Sequence, residues 1–200
     1  MNNIDNFFDI NVETFAESYF SYLKRIMGKV DLSEIHNLVK ILMKARSNGS
    51  TVFFIGNGGS ATTASHFSND IAFGVNEYDL PFKAVSLTDN VSVLTALGND
   101  YGYDEIFVRQ LKIHGSPGDV LVGISASGNS SNIINAFKYA KRAKITTVAI
   151  TAFDGGEMKK ISDSGIYIPT EIGEYGPAED MHMILDHLIG NYLARVVNGV

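Results

Sequence analysis

The 200-residue chain contains no cysteine. That excludes disulfides, iron–sulfur clusters and thiolate nucleophiles, and it leaves any metal to histidine and carboxylate. Basic residues are also in the minority, 16 against 22 acidic ones, for a net charge of −6. A nucleic-acid surface wants a basic stripe, so nucleic acid is not expected as a partner. No apolar run approaches the roughly 20 residues of a membrane helix, so no membrane association is expected. The opening MNNIDNFFDINVETF has no basic stretch ahead of an apolar one, so no secretory leader is expected and the cytoplasm is the default. A more local absence is more telling. Between Thr51 and Phe82, and again between Ile113 and Phe137, there is no Lys or Arg. An anion held by those segments must be held by amides and hydroxyls.

What is present is an alternation of short apolar strands and helices. Strands are expected at Thr51–Ile55, Phe82–Leu87, Val120–Ser125, Thr146–Thr151 and Gly165–Pro169. The intervening segments carry helical periodicity: from the 60s, to Leu97, over 104–113, over 132–142 and at Met158–Ile161, with a last helix reaching about Val197. Short strands alternating with helices imply right-handed crossovers and a parallel sheet covered on both faces. Ahead of them lie apolar-faced helices over 5–27 and, capped by Asp31 or Ser33, up to Ser47–Ser50. The reading is one α/β domain over 1–200, with an N-terminal helical extension (1–50) and a five-stranded core (51–200). The first helix suits packing on another subunit.

Two βα turns resemble each other, FFIGNGGS at 53–60 and VGISASGNSS at 122–131. Each directs backbone N–H groups and a helix N-terminus at one spot, an anion cradle at the carboxyl edge of the sheet. Neither is a Walker A loop, since no GK[ST] follows, and GNGGSA does not match G-x-G-x-x-G. A plain tight turn is the simpler alternative, but it does not need Ser60, Ser125, Ser127 and Ser130.

On the helix after the first turn, His66 and Asp70 share a face at i, i+4. A surface pair would look the same. The last helix carries Glu179, His182, Asp186 and His187 on one stripe among Met, Ile and Leu. Ionisable groups on such a stripe are costly to bury unless paired or bound to metal. His66, Asp70, Glu179 and His187 would make a nitrogen/oxygen site suited to zinc or another divalent ion if the two helices meet. Asn99-Asp100 reads either as a turn or as a substrate contact at the same sheet edge.

The ordered set GNGGSA, His66, LTAxxND (Leu94–Asp100), GDVLVGISASGNS (Gly118–Ser130) and E-D-x-H-x-x-x-x-H (Glu179–His187) resembles the phosphoheptose isomerases, single sugar-isomerase (SIS) domains of flavodoxin-like topology. The resemblance covers nearly the whole chain. It implies interconversion of sedoheptulose 7-phosphate and D-glycero-D-manno-heptose 7-phosphate, the first step towards activated heptose for lipopolysaccharide, capsule or surface-layer glycans. It also implies a homotetramer with active sites between subunits, and one zinc per subunit. By position, Asn57, Gly58, Gly59, Ser60, Asn99 and Asp100 would contact substrate, and Ser125, Ala126, Ser127 and Ser130 its phosphate. His66, Asp70, Glu179 and His187 fall on the zinc ligands, Asp70 and Glu179 also facing the substrate. Asp70 and His187 fall on the acid/base positions, with Asp70 taken as base. Four positions depart from the family's usual residues: Asp70 for Glu, Glu179 for Gln, Ala126 for Thr, and Gly74 for a pocket Arg. These departures keep two alternatives in play. One is the same chemistry on another ketose phosphate. The other is a non-catalytic SIS regulator, such as the replication-initiator-associating relative, in which the acid matching position 70 is lost.

Overall fold

The computed structural model describes residues 2–199. Runs of β-branched and aromatic residues form five strands: β1 (Thr51–Gly56), β2 (Lys83–Ser86), β3 (Val120–Ser125), β4 (Thr146–Thr151) and β5 (Ser164–Tyr167). All pair in parallel, in the order β2-β1-β3-β4-β5. This is the expected flavodoxin-like sheet. Period-two alternation divides its side chains between two cores. Val52, Phe54, Val120, Val122 and Ile124 face one, while Phe53, Ile55 and Leu121 face the other.

Helices cover both faces. The first core receives α2 (Val12–Met27), α3 (Leu32–Asn48), α4 (Gly59–Asn69) and α9 (Tyr175–Asn198), preceded by a short α1 (Asn3–Phe7). The second receives α6 (Ile106–His114), α7 (Ser131–Arg142) and α8 (Gly156–Ile161), with α5 (Val91–Tyr101) packed at its margin. The chain leaves β1 towards β2 on one side and returns to β3 on the other. The crevice between the carboxyl ends of β1 and β3 is therefore the topological switch point, where open α/β sheets bind ligands. Helix α4 leaves β1 on one face and α7 leaves β3 on the opposite face, so both Gly/Ser-rich turns open into this crevice.

Two expected boundaries shift. The single helix over 5–27 is two, because Asn11 caps α2 by accepting from the Glu13 and Thr14 amides. The loop expected at Gly98–Gly102 is helical through Tyr101. An isolated glycine inside a helix costs only about 1 kcal/mol, and the stop comes at Gly102, whose φ of +89° a side chain rarely adopts. Pro177 sits in the first turn of α9, where its missing N–H costs nothing.

The N-terminal helices are anchored to the chain's own α9. Tyr22 and Ile26 are buried, Tyr22 donates to the buried Glu174 carboxylate, and Tyr19 donates to Asp180 at 2.6 Å. The other face of this region leaves Phe8, Ile10, Val12 and Phe20 largely exposed.

Candidate active site

Helices α2, α3 and α5 are capped by Asn11, Asp31 and Asn90. The two helices that begin in the crevice, α4 and α7, have no side-chain cap. The Ala61 and Ile133 amides are already bonded, but the first two N–H groups of each helix, on Gly59, Ser60, Ser131 and Asn132, are free to meet an anion, with the helix dipoles adding to the attraction. The turn before α7 is pre-shaped. The Gly128 amide donates to the Ser125 carbonyl and hydroxyl, each at 3.2 Å, and the Asn129 amide to the Ser127 hydroxyl at 3.2 Å.

Asn57 in the first turn and Asn132 at the start of α7 exchange two amide hydrogen bonds, both 2.9 Å. Tyr103, just past α5, donates its hydroxyl to the Asn57 side-chain Oδ1 at 2.8 Å. Asn132 is buried. This network ties the two turns and the C-terminal end of α5 into one unit. It brings the exposed Asn99 and Asp100, themselves hydrogen-bonded at 2.9 Å, to the same edge of the sheet. Neither Asn132 nor Tyr103 was singled out by sequence reasoning. An Asn one position inside a helix that follows a Ser-rich turn was the available signal. Tyr103→Phe removes one hydrogen bond that holds Asn57. We expect KM to rise about fivefold, the worth of roughly 1 kcal/mol, with kcat little changed. An unchanged KM would show that Asn57 needs no such support.

The reactive groups come from α4 and α9, which pack with a constant register. His66 lies against Asp186, separated by 120 residues in sequence. The same offset brings Gly59 against Glu179 and Asp70 against Gly190. A constant offset means the helices run parallel and side by side. A side chain at Gly59 would push the Glu179 carboxylate aside, whereas one at Gly190 would meet Asp70 at ordinary van der Waals distance. A Cβ on Gly59 would stand 2.3 Å from the Glu179 carboxylate, and one on Gly190 would stand 3.4 Å from the Asp70 Cβ. Beyond Asp70 the helix widens into a π turn, Asp70–Gly74, a distortion frequent at functional sites.

One donor atom from each of His66, Asp70, Asp186 and His187 lies within 4.8 Å of the others. His66 Nδ1 is 2.7 Å from Asp186 Oδ2 and 3.8 Å from Asp70 Oδ2. The His66 and His187 rings meet edge to face at 5.1 Å. His66 and His187 are exposed and Asp70 half-exposed, whereas Asp186 is fully buried, its Oδ1 without a hydrogen-bond partner. Burial pushes the Asp186 carboxyl up to about 6, against the pull of the His66 hydrogen bond. The same hydrogen bond raises His66. An open hollow of about 580 Å³, lined by Ser65, His66, Asn69, Thr88 and Asp89 among others, adjoins the cluster. A more apolar one of about 650 Å³ lies away from it, under α5 and α6.

Of the four residues expected as metal ligands, three come together. Glu179 stands apart from them, eight residues before His187 and so roughly 12 Å back along the helix axis, with its carboxylate over Gly59 in the first turn. Asp186, present on the same stripe but given no role from sequence, takes the fourth place in the cluster. The imidazoles of His66 and His187 and the Asp70 carboxylate are donors suited to zinc. An orphaned buried carboxylate oxygen beside them is what a missing positive charge would leave. The residues present therefore fit a divalent ion.

A family model described as the SIS domain matches residues 15–152. The phosphoheptose isomerase of Sulfurimonas denitrificans is 38% identical over 170 residues, covering 84% of this chain and 85% of that protein. That of Clostridium acetobutylicum is 37% identical over 196 residues, covering 97% and 96%. The solved phosphoheptose isomerase of Neisseria gonorrhoeae superposes with a TM-score of 0.81 at 30% identity, over 92% of this chain and 98% of its own.

Proposed function

The chain belongs to the SIS-domain family of phosphoheptose isomerases, and we propose that it is the aldose–ketose isomerase that converts D-sedoheptulose 7-phosphate to D-glycero-D-manno-heptose 7-phosphate. The observation that carries this reading is the meeting of His66, Asp70 and His187 beside a crevice into which two uncapped helices open. An anion cradle at the head of α4 and a proton-transfer pair two to three turns along it suit the two ends of one extended sugar phosphate.

In this reading the phosphate lies on the amides and hydroxyls of Ser125, Ala126, Ser127 and Ser130, with no cation in the turn. Ala126 contributes its backbone alone. Asn57, Gly58, Gly59, Ser60, Asn99, Asp100 and Glu179 face the sugar. Asp70 takes the proton from the carbon next to the carbonyl and returns it at the neighbouring carbon. His187 moves protons between the two oxygens, so an enediol(ate) is passed through and no atom is gained or lost. Zinc would be held by His66, Asp70 and His187, with Glu179 the fourth ligand by family resemblance. Bound there, the ion would orient sugar hydroxyls and polarise the carbonyl. The exposed apolar side chains of the N-terminal region, Phe8, Ile10, Val12 and Phe20, support association between subunits, and the family resemblance implies a homotetramer with active sites between them. Among the described residues no helix is long and apolar enough to cross a membrane. We place the enzyme in the cytoplasm, at the first step of activated-heptose synthesis.

A proton NMR time course with sedoheptulose 7-phosphate in D₂O, with and without zinc, tests the reading. Heptose 7-phosphate signals should appear, with deuterium entering beside the carbonyl. No conversion with any divalent metal would overturn this substrate. Turnover of a different ketose phosphate in its place would keep the chemistry and change the sugar.

A further inference from the structure

We propose that Asp186 is a positioning residue, a buried carboxylate that accepts the His66 Nδ1–H and so turns Nε2 of that imidazole towards the metal. The inference rests on the metal reading above. It concerns a residue to which neither the sequence patterns nor the family resemblance gives a role.

Three observations carry it. The first is distance. Two donors bound to one tetrahedral ion at 2.0–2.1 Å stand about 3.3 Å apart. His66 Nδ1 and Asp186 Oδ2 are 2.7 Å apart, the length of a charge-assisted hydrogen bond. The pair therefore reads as donor and acceptor rather than as two ligands. The second is burial. Asp186 is 0% exposed while His66 is open on its other side, so the carboxylate lies behind the ring, where an orienting group belongs. The third is incomplete satisfaction. Asp186 Oδ1 has no hydrogen-bond partner, and no Lys or Arg lies within salt-bridge distance of the carboxylate among the described residues. A cation on the far nitrogen of His66 would offset that charge through the ring. Carboxylate, imidazole and metal in line is a recurrent arrangement that fixes the tautomer and raises ligand basicity.

The test has two readouts that do not depend on turnover. In the zinc-free protein, long-range ¹⁵N–¹H NMR of the imidazoles should find His66 as the Nδ1–H tautomer. Asp186→Leu, which keeps the site apolar and filled, should lose that preference. Asp186→Asn, which still presents a carbonyl oxygen to Nδ1–H, should retain it. Competition with a chromophoric chelator should show zinc affinity falling roughly a hundredfold in the leucine variant and roughly tenfold in the asparagine variant, within the range for such outer partners. Cobalt substitution should give the same ligand-field spectrum in wild type and in Asp186→Asn. A changed cobalt spectrum would make Asp186 a direct ligand and overturn the proposal. So would an unaltered tautomer together with unaltered affinity in Asp186→Leu. If the leucine variant does not fold, the asparagine variant alone decides, through tautomer, affinity and spectrum. Failure of the wild-type protein to bind zinc would sink the metal reading. The tautomer result would still stand or fall separately.

Discussion

His187→Ala is expected to lower kcat by roughly 10²–10⁴, the range for loss of a positioned acid–base group. The ring is exposed on α9 and meets the His66 ring at 5.1 Å, so little packing goes with it. Stability of the zinc-free chain should therefore hold within about 0.5 kcal/mol, as for surface substitutions elsewhere. Thermal unfolding in the presence of a chelator checks this. Because His187 also stands among the metal donors, zinc content must be measured in the same sample. A loss of rate with zinc retained assigns the proton-transfer role. A loss that excess zinc restores assigns only a ligand role. Solvent deuterium entry into unreacted substrate separates the steps further. Asp70→Asn should abolish it if Asp70 is the base, whereas His187→Ala should leave part of it. The double variant should cost little more than the worse single one, because groups acting as a unit are not additive. A wild-type rate in His187→Ala would remove that residue from the mechanism.

The second large effect concerns His182, which lies on α9 one turn from Glu179 and one turn from Asp186 and is buried to 1% exposure. Neither of its ring nitrogens has a hydrogen-bond partner, and burial pushes its pKa down to about 4. On the α4 side, the offset of 120 residues sets it opposite the level of Thr62 and the buried Thr63, with His66 one turn further on. Between the unfolded value near 6.5 and about 4, the unfolded chain binds this proton and the folded chain does not. Stability contributed by a neutral buried His182 is thus present above pH 6.5 and lost as the pH falls towards 4. The loss amounts to about 3 kcal/mol over that window. Asp186 has the opposite sign. Its carboxyl is raised, so its contribution grows as the pH falls, and the wild-type profile sums both with the raised His66 and the lowered Asp163 and Glu174. The difference between wild type and His182→Leu isolates the imidazole. At pH 7.5 the variant should be about as stable as wild type, since an apolar side chain replaces a polar one that has no partner. By pH 4 it should be ahead by about 3 kcal/mol, read from urea unfolding with chelator present. Parallel profiles at all pH values would show that His182 is protonated or partnered in the folded chain.

Much of this could be read from the chain alone. Five short apolar runs between helical patterns specify a parallel sheet, because period-two and period-3.6 patterns bury different faces. Gly- and Ser-rich turns after Ile55 and Ile124 mark where the helices start without caps. Helical spacing likewise puts His66 with Asp70 on one face and the acidic and imidazole stripe of α9 on another. Boundaries were less legible. Asn11 breaks the first helix and Gly98 fails to break the fifth, since capping and a single glycine are worth only about a kcal/mol each way and the packing around them decides.

What periodicity cannot state is how far one helix is slid along its neighbour. A stripe of four ionisable groups on α9 is compatible with several axial shifts against α4, and each shift presents a different one of them to His66. Tertiary packing selected one. With Gly59 beneath Glu179 and Gly190 beside Asp70, the two backbones settle at an offset of 120 residues, which brings Asp186 to His66 and leaves Glu179 over the first turn. The faces follow from the 3.6-residue period, which is local. The register follows from how the side-chain surfaces of two helices fit together, which depends on both of them at once.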